Sequence, residues 1–331
     1  MARACQGGRV RTEVETVRGP IPTSDMGRTL IHEHVFVMTT ETHLQWPGEF
    51  VEEDKVAEAI AKLRELRDSG IQTIVDPTVD GLGRNIPRIQ RINEAVPDLN
   101  IVVATGIYTY TEPPNFFRFR GRGVHPSLPE PMVDLFVRDI REGIQGTAVK
   151  AALLKCAIDE PGMQPGVERV LRAVAQTNRE TGTPIMVHTH PGSRTGLDVA
   201  RVLDEEGVPA SAVQLAHSGD TADVEHLTAL AEKGYYLGMD RFGIELHVSF
   251  DQRVDTVVEM CRRGFAGQMA LAQDAACYLD WMEPSTAAMM VNWNYFHIGR
   301  DVVPALLERG VPQDQVDELL VGTPRRWFEQ A

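Results

Sequence analysis

His32 and His34 stand one residue apart in the apolar stretch "TLIHEHVF" (29–36), with Glu33 between them. On a strand, side chains at i and i+2 point to one face, so both imidazoles would enter the same interior. That is how a strand grips a metal ion; two core histidines satisfied by hydrogen bonds are the plainer reading of the same pair. Farther along, Lys155 lies in "LLKCA", His188 and His190 in "VHTH", His217 and Asp220 in "AHSGD", and Asp274 in "QDAA", each toward the end of an apolar run. One such residue would be ordinary. Their recurrence points to neutral imidazoles and a carboxylate gathered as ligands for zinc, cobalt, iron or manganese, a site whose open positions generate hydroxide near neutral pH. Lys155 is the odd member, because an ammonium repels metals. Reaction of its neutral amine with carbon dioxide would give a carbamate, an anion able to bridge two metals about 3.5–4 Å apart. A lysine snorkelling from a strand end is the alternative.

These residues meet only if the elements that carry them share one end of one sheet. Eight strand candidates occur: 29–36, 72–78 ("QTIVDPT"), 101–110 ("IVVATGIYTY"), 150–157 ("KAALLKCA"), 184–190 ("PIMVHTH"), 212–218 ("AVQLAHS"), 235–240 ("YYLGMD") and 269–274 ("MALAQD"). Between them lie amphipathic helical patterns, such as Val56, Ile60, Leu63 and Leu66, then Val167, Val170, Leu171 and Val174, then Val224, Leu227 and Leu230. Alternation of strand and helix predicts parallel strands joined by right-handed crossovers. Eight such units predict an α/β fold, a (β/α)8 TIM barrel with its active site at the C-terminal ends of the strands. A doubly wound open sheet is the alternative, but its nucleotide fingerprint is missing: "GLGRN" (81–85) is a turn-sized glycine pattern. Residues 1–331 read as one barrel domain, with about 1–15 a flexible N-terminal extension and 111–131 a long Pro/Gly-rich loop.

The composition fits an ordinary globular chain, with 43% hydrophobic and 24% charged residues. A formal charge of -14 and pI near 5.2 leave no basic footprint for nucleic acid or anionic membrane, so a small molecule is the expected partner. The first twenty residues lack the apolar core of a secretory signal, and no run approaches the roughly 18 apolar residues of a membrane span. The expected location is cytoplasmic. Cys5, Cys156, Cys261 and Cys277 are scattered and suggest neither a zinc knuckle nor a disulfide framework.

Taken in order, "HEH", "LLKCA", "VHTH", "AHSGD", "MDRFG" and "QDAACYLDW" resemble the phosphotriesterase-like lactonases of the amidohydrolase superfamily, from about "RGPI" (19–22) to "PRRWF" (324–328). The resemblance implies two divalent ions, zinc foremost. His32, His34 and Asp274 would hold the more buried one, His188 and His217 the more exposed one, and Lys155, carbamylated by carbon dioxide, would bridge them. It implies no ligand role for His190, which is expected at the rim in a supporting role. It matches Tyr108 to a tyrosine facing the centre and the substrate carbonyl, Arg241 to a substrate-pocket arginine, and Trp281 to an aromatic on the loop lining an acyl-chain pocket. It also implies a homodimer. The chain departs from the family pattern at Ala272, Ala276 and Thr323, none of them a ligand position.

The expected reaction is lactone hydrolysis, on N-acyl-homoserine lactones or γ/δ-lactones with an alkyl tail. A metal-bridging hydroxide would attack the carbonyl, Tyr108 stabilise the oxyanion, and Asp274 carry the proton to the leaving alkoxide. Asp220 is either the next proton carrier or the N-cap of a helix near "TADV". Weak paraoxonase activity is the expected side reaction. A primary phosphotriesterase, another ester or amide hydrolase, or a metal-containing barrel that only binds a small molecule are the alternatives.

Overall fold

The computed structural model describes residues 11–330 except 49 and 247. Most of the expected extension, residues 1–10, lies outside the described residues. Its last part is not an extension: Glu13–Thr16 (β1) pairs antiparallel with Gly19–Pro22 (β2). Thr16 Oγ1 donates to the Gly19 carbonyl at 2.7 Å across the turn, and Val14 is buried in one cluster with Trp327 and Phe328. A short apolar hook, invisible as periodicity, thus ties this segment to the barrel floor.

The remaining strands are Thr29–Leu30 (β3), His34–Val37 (β4), Thr73–Asp76 (β5), Asn100–Gly106 (β6), Leu153–Ile158 (β7), Ile185–Thr189 (β8), Val213–Ala216 (β9), Tyr236–Met239 (β10), Met269–Leu271 (β11) and Ala276–Leu279 (β12). An eight-stranded sheet runs β11-β10-β9-β8-β7-β6-β5-β3, parallel at every pairing. The Ile31 N–H donates to the Leu271 carbonyl at 3.3 Å, which brings the two edge strands together as a TIM barrel.

Each expected strand is present, but the first is not continuous over 29–36. It breaks between β3 and β4, because backbone groups there bond to two different neighbours. The Glu33 N–H donates to Val75 at 2.9 Å on one side, and the His32 carbonyl accepts from the Asp274 N–H at 3.0 Å on the other. β4 then pairs in parallel with β12 as a small ribbon at the mouth.

Alternation along the strands separates two apolar layers. Ile101 and Val103 join the cluster under the helices, whereas Val102 and Ala104 join the one inside the barrel. The same period sends Leu154 and Cys156 outward and Leu153 inward, so Lys155 faces the interior; in β8, Met186 likewise sets His188 inward. Outside, the helix Glu52–Asp68 buries Val56, Ala59, Leu63 and Leu66, one stripe at helical spacing. The C-terminal helix Thr323–Gln330 places Trp327 and Phe328 in the inner cluster. Thr323, one of the departures from the family pattern, donates its hydroxyl to the Ala266 carbonyl at 3.2 Å.

Within 111–131 only a short helix, Asn115–Arg118, and a 3-10 turn, Gly121–Gly123, interrupt the loop before the helix Pro131–Arg141. Cys156, Cys261 and Cys277 are buried free thiols, and Cys5 lies outside the described residues. Among the described residues no helix is long and apolar enough to cross a membrane.

Candidate active site

His32, His34, Tyr108, Lys155, His188, His217, Arg241, Asp274 and Trp281 all line one cavity of about 350 Å³ at the C-terminal ends of the strands. A larger hollow, about 560 Å³, opens at the opposite end beside Arg11 and Glu13 and contains none of them. It adjoins the first described residues, so the smaller cavity is the candidate site.

His32 and His34 each turn Nε2 toward Asp274 Oδ1, at 3.3 and 3.2 Å. The far nitrogens are fixed from behind: His32 Nδ1 lies 2.8 Å from Asp240 Oδ2, and His34 Nδ1 lies 2.7 Å from Thr78 Oγ1, itself hydrogen-bonded to Asp76. Asp240 serves a second ring, with Oδ1 at 3.0 Å from His217 Nδ1 and 2.7 Å from the His217 N–H. His217 Nε2 then meets His188 Nδ1 at 3.0 Å, while His188 Nε2 faces Asp159 Oδ2 at 3.1 Å. These supporting carboxylates and the threonine fix tautomer and ring direction, as outer partners of ligating histidines do. Sequence reasoning missed them. The available signal for Asp240 was its place in "MDRFG" at a strand end, shared with the ligand candidates.

Two ligand candidates have left-handed backbones, His217 at φ 64° and Asp274 at φ 54°, which cost a non-glycine residue on the order of 1–3 kcal/mol each. Glu33 holds the second in place. Its carboxylate oxygens accept the N–H groups of Gln273 at 2.7 Å and Ala275 at 2.9 Å, on either side of Asp274.

Lys155 does not end its strand; it is the third of six residues in β7, and only its long side chain reaches the site. Gly106 on β6 permits this approach, since a Cβ there, at φ 147°, would lie 1.8 Å from the Lys155 carbonyl oxygen. The amine is buried and has no hydrogen-bond partner among the described residues. Burial lowers its pKa to about 8 against the opposing pull of Asp274 and Asp240.

Burial also lowers His32, takes His188 to about 4 and, with Arg241 adding to it, drives His217 well down. Those three rings are neutral at pH 7, as metal ligation requires. For His34, burial is outweighed by Asp274 and Asp76, which raise it. Asp274, despite burial, is held well below the usual carboxylate range by His32, His34, His217 and Arg241 around it. His32, His34 and Asp274 offer ligand atoms within 4.8 Å of one another. The convergent Nε2 atoms and the unpartnered buried amine fit a divalent metal centre. His32, His217 and Asp240 meet the same spacing, but both Asp240 oxygens are already engaged by the ring nitrogens they orient.

Around this floor, the Tyr108 hydroxyl lies 3.0 Å from His188 Nδ1 and 2.6 Å from the Tyr110 hydroxyl. Burial pushes the Tyr108 phenol well above its usual pKa, so it stays a proton donor. Arg241 spans two carboxylates, with Nε 3.1 Å from Asp274 Oδ2 and Nη1 3.0 Å from Asp220 Oδ2. Asp220 also pairs with Arg253 at 2.7 Å. It is an anchor for Arg241 and not the helix cap; Asp223 caps Val224–Glu232 by accepting from the His226 N–H at 3.0 Å. Trp281 stands over the mouth, its ring centroid 5.8 Å from that of Tyr108. Val37, Leu82, Ile244, Leu279 and Met290 complete an apolar wall. His190 is the one singled-out histidine that stays outside, its Nδ1 accepting from the Ser193 N–H at 3.1 Å.

Known proteins are similar to nearly the whole chain. The model of the phosphotriesterase family matches residues 12–328. A phosphotriesterase homology protein of Mycobacterium tuberculosis is 53% identical over 320 residues, covering 96% of this chain and 98% of its own. An aryldialkylphosphatase of Saccharolobus solfataricus is 36% identical over 311 residues, covering 93% and 96%. The solved structure of the phosphotriesterase from Mycobacterium tuberculosis superposes with a TM-score of 0.94 at 52% identity, covering 96% of this chain and 98% of the other. The family carries a binuclear metal centre, and the chain belongs to the phosphotriesterase family as a metal-dependent hydrolase.

Proposed function

We propose that the protein is a lactonase with phosphotriester hydrolysis as its weaker activity. The observation that carries this reading is a partly buried, protonated phenol, Tyr108, 3.0 Å from a ligand candidate and beneath the apolar wall that Trp281 completes. In this reading His32, His34 and Asp274 would hold one divalent ion and His188 and His217 the other. Lys155, its neutral amine bonding to carbon dioxide and giving up a proton, would complete the donor set as a carbamate. Zinc suits the donor set, and cobalt, iron or manganese are accommodated by it. When bound, two such ions supply an activated water nucleophile and polarise the substrate carbonyl.

The chain's own groups do the rest. Tyr108 donates to the carbonyl oxygen as it becomes an oxyanion, a contact that strengthens toward the transition state. Asp274 accepts the proton released by the attacking water and delivers it to the leaving alkoxide. Arg241, held by Asp220, borders the carbonyl end of the pocket, and the apolar wall receives an alkyl tail such as that of an N-acyl-homoserine lactone. A planar ester fits beside Tyr108 more readily than a phosphorus centre with three substituents. The large apolar side chains Leu44, Trp46, Phe116 and Phe119, exposed on the single chain, support a homodimer, which sedimentation would test.

A second reading, in which triesters are the preferred substrates, is favoured by the aryldialkylphosphatase relative at 36% identity. Measuring kcat/KM for an acyl-homoserine lactone, a simple alkyl lactone and paraoxon on metal-analysed protein separates the two. Close to two divalent ions per chain and a lactone preference are expected; paraoxon exceeding every lactone would make the triesterase reading the correct one.

A further inference from the structure

We propose that Tyr295 is a positioning residue for the metal centre, holding His34 through its backbone; this rests on the reading of His34 as a metal ligand. Tyr295 is 3% exposed and lies in the loop after the helix Pro284–Met289, far from His34 in sequence. Its hydroxyl donates to the His34 carbonyl. Cys277 Sγ approaches the same phenol oxygen at 3.2 Å. A phenol has one proton, and here it goes to the carbonyl, so the thiol donates to the phenol oxygen. Cys277 sits on β12, where its neighbour Ala276 is paired with His34. The chain of donors therefore runs from Cys277 through Tyr295 to the ligand residue.

Two residues earlier, the indole N–H of Trp293 is shared between the carbonyls of Gln273 and Asp274, at 3.0 Å each. One short segment thus grips the backbones of both residues whose side chains meet at 3.2 Å on the cavity floor. The anchoring matters because the His34 ring is fixed at Nδ1 by Thr78 and its backbone N–H by the Ala275 carbonyl at 2.8 Å, so the hold on its carbonyl completes the set of contacts that decides where Nε2 points. The same segment follows Trp281, Met282 and Met290 of the cavity wall, so the substrate end and the ligand end of the site share an anchor.

The test is metal affinity, read by chelator competition, together with the visible spectrum of cobalt-loaded protein. Tyr295→Phe keeps the ring and removes only the hydroxyl. It should weaken binding of at least one ion on the order of tenfold, the low end for loss of an outer partner, and alter the cobalt spectrum, with kcat/KM recovering in excess metal. Cys277→Ala, which removes the donor to the phenol, should weaken binding less, and Cys277→Ser, which keeps a donor, should resemble wild type. Unchanged affinity in Tyr295→Phe beside a lowered thermal midpoint would make the phenol a packing group and overturn the proposal. So would an equal loss in Cys277→Ser. A wild type that binds no metal would overturn both this proposal and the proposed function; two ions bound alike by wild type and Tyr295→Phe overturns this proposal alone.

Discussion

At the scale of single residues, Lys155 carries the most unusual chemistry in the site. An ordinary lysine is almost wholly protonated at neutral pH and a poor nucleophile for carbon dioxide. Burial lowers this amine to about 8, so its neutral fraction is substantial just where an ordinary lysine has almost none. The direction fixes a pH dependence. Below about 8 the neutral form falls roughly tenfold per pH unit, and above it the fraction levels off. Metal-free protein given zinc at a constant concentration of dissolved carbon dioxide should therefore regain activity faster as pH rises from 6.5 to 8, then reach a plateau. A rate flat across that range would show that the amine is not the group that reacts. Lys155→Ala should lose metal and activity and ignore added bicarbonate, whereas acetate or propionate should restore part of both by filling the gap between the ligands. Full activity of this variant without additive would rule out the bridge.

At the scale of elements, the gap between β3 and β4 decides how the barrel presents its first ligand candidates. The apolar run over 29–36 located the strand and put His34 on it, because burial of both sides leaves a near-continuous apolar run, whereas His32 falls in the break between β3 and β4. It could not show the break, since a residue bonding sideways to Val75 has the same composition as one in a ladder. The other strands were legible for the same reason of burial, and their ends located the ligand candidates other than Lys155, which lies inside β7. Asp240, Thr78 and Asp159 were not legible as partners, because a polar residue after a strand is common and only the closed barrel brings it behind a particular ring. Glu33, though its position in "HEH" was plain, belongs to this class: its two backbone contacts lie 240 and 242 residues away. Glu33→Gln retains size but offers an amide N–H2 to one of those backbone donors. It should destabilise the metal-free protein by about 1–3 kcal/mol, the usual result of leaving a buried donor unpaired, read by chemical denaturation. It should also weaken metal binding, since the N–H groups it holds flank the left-handed Asp274. Stability equal to wild type would show that this staple contributes nothing.

At the scale of the whole molecule, the ligand candidates come from the first, fourth, fifth, sixth and eighth strands of the barrel, so ions bound between them tie together elements that are otherwise joined only through their neighbours. His32 and Asp274 lie at the junction of the edge strands, where a backbone bond at 3.3 Å between Ile31 and Leu271 closes the ring. Anything that binds the folded state and not the unfolded one stabilises it by mass action, by about 2.7 kcal/mol at a hundredfold excess over its dissociation constant. Removing the metals should thus lower the thermal midpoint well beyond experimental error, and returning zinc should restore it in proportion to occupancy. In metal-free protein the partly buried carboxylate of Asp274 lies against His34, which it helps to raise, against His32 and His217, which burial lowers, and against an arginine shared with Asp220. Asp274→Asn should therefore abolish most of the stabilisation by zinc and also lower the metal-free midpoint, since the folded state holds this carboxylate well below its usual range. Calorimetry of both proteins with and without zinc decides this. Identical midpoints for loaded and stripped wild type would mean that the ions do not hold the barrel's closure, whatever they contribute to the chemistry.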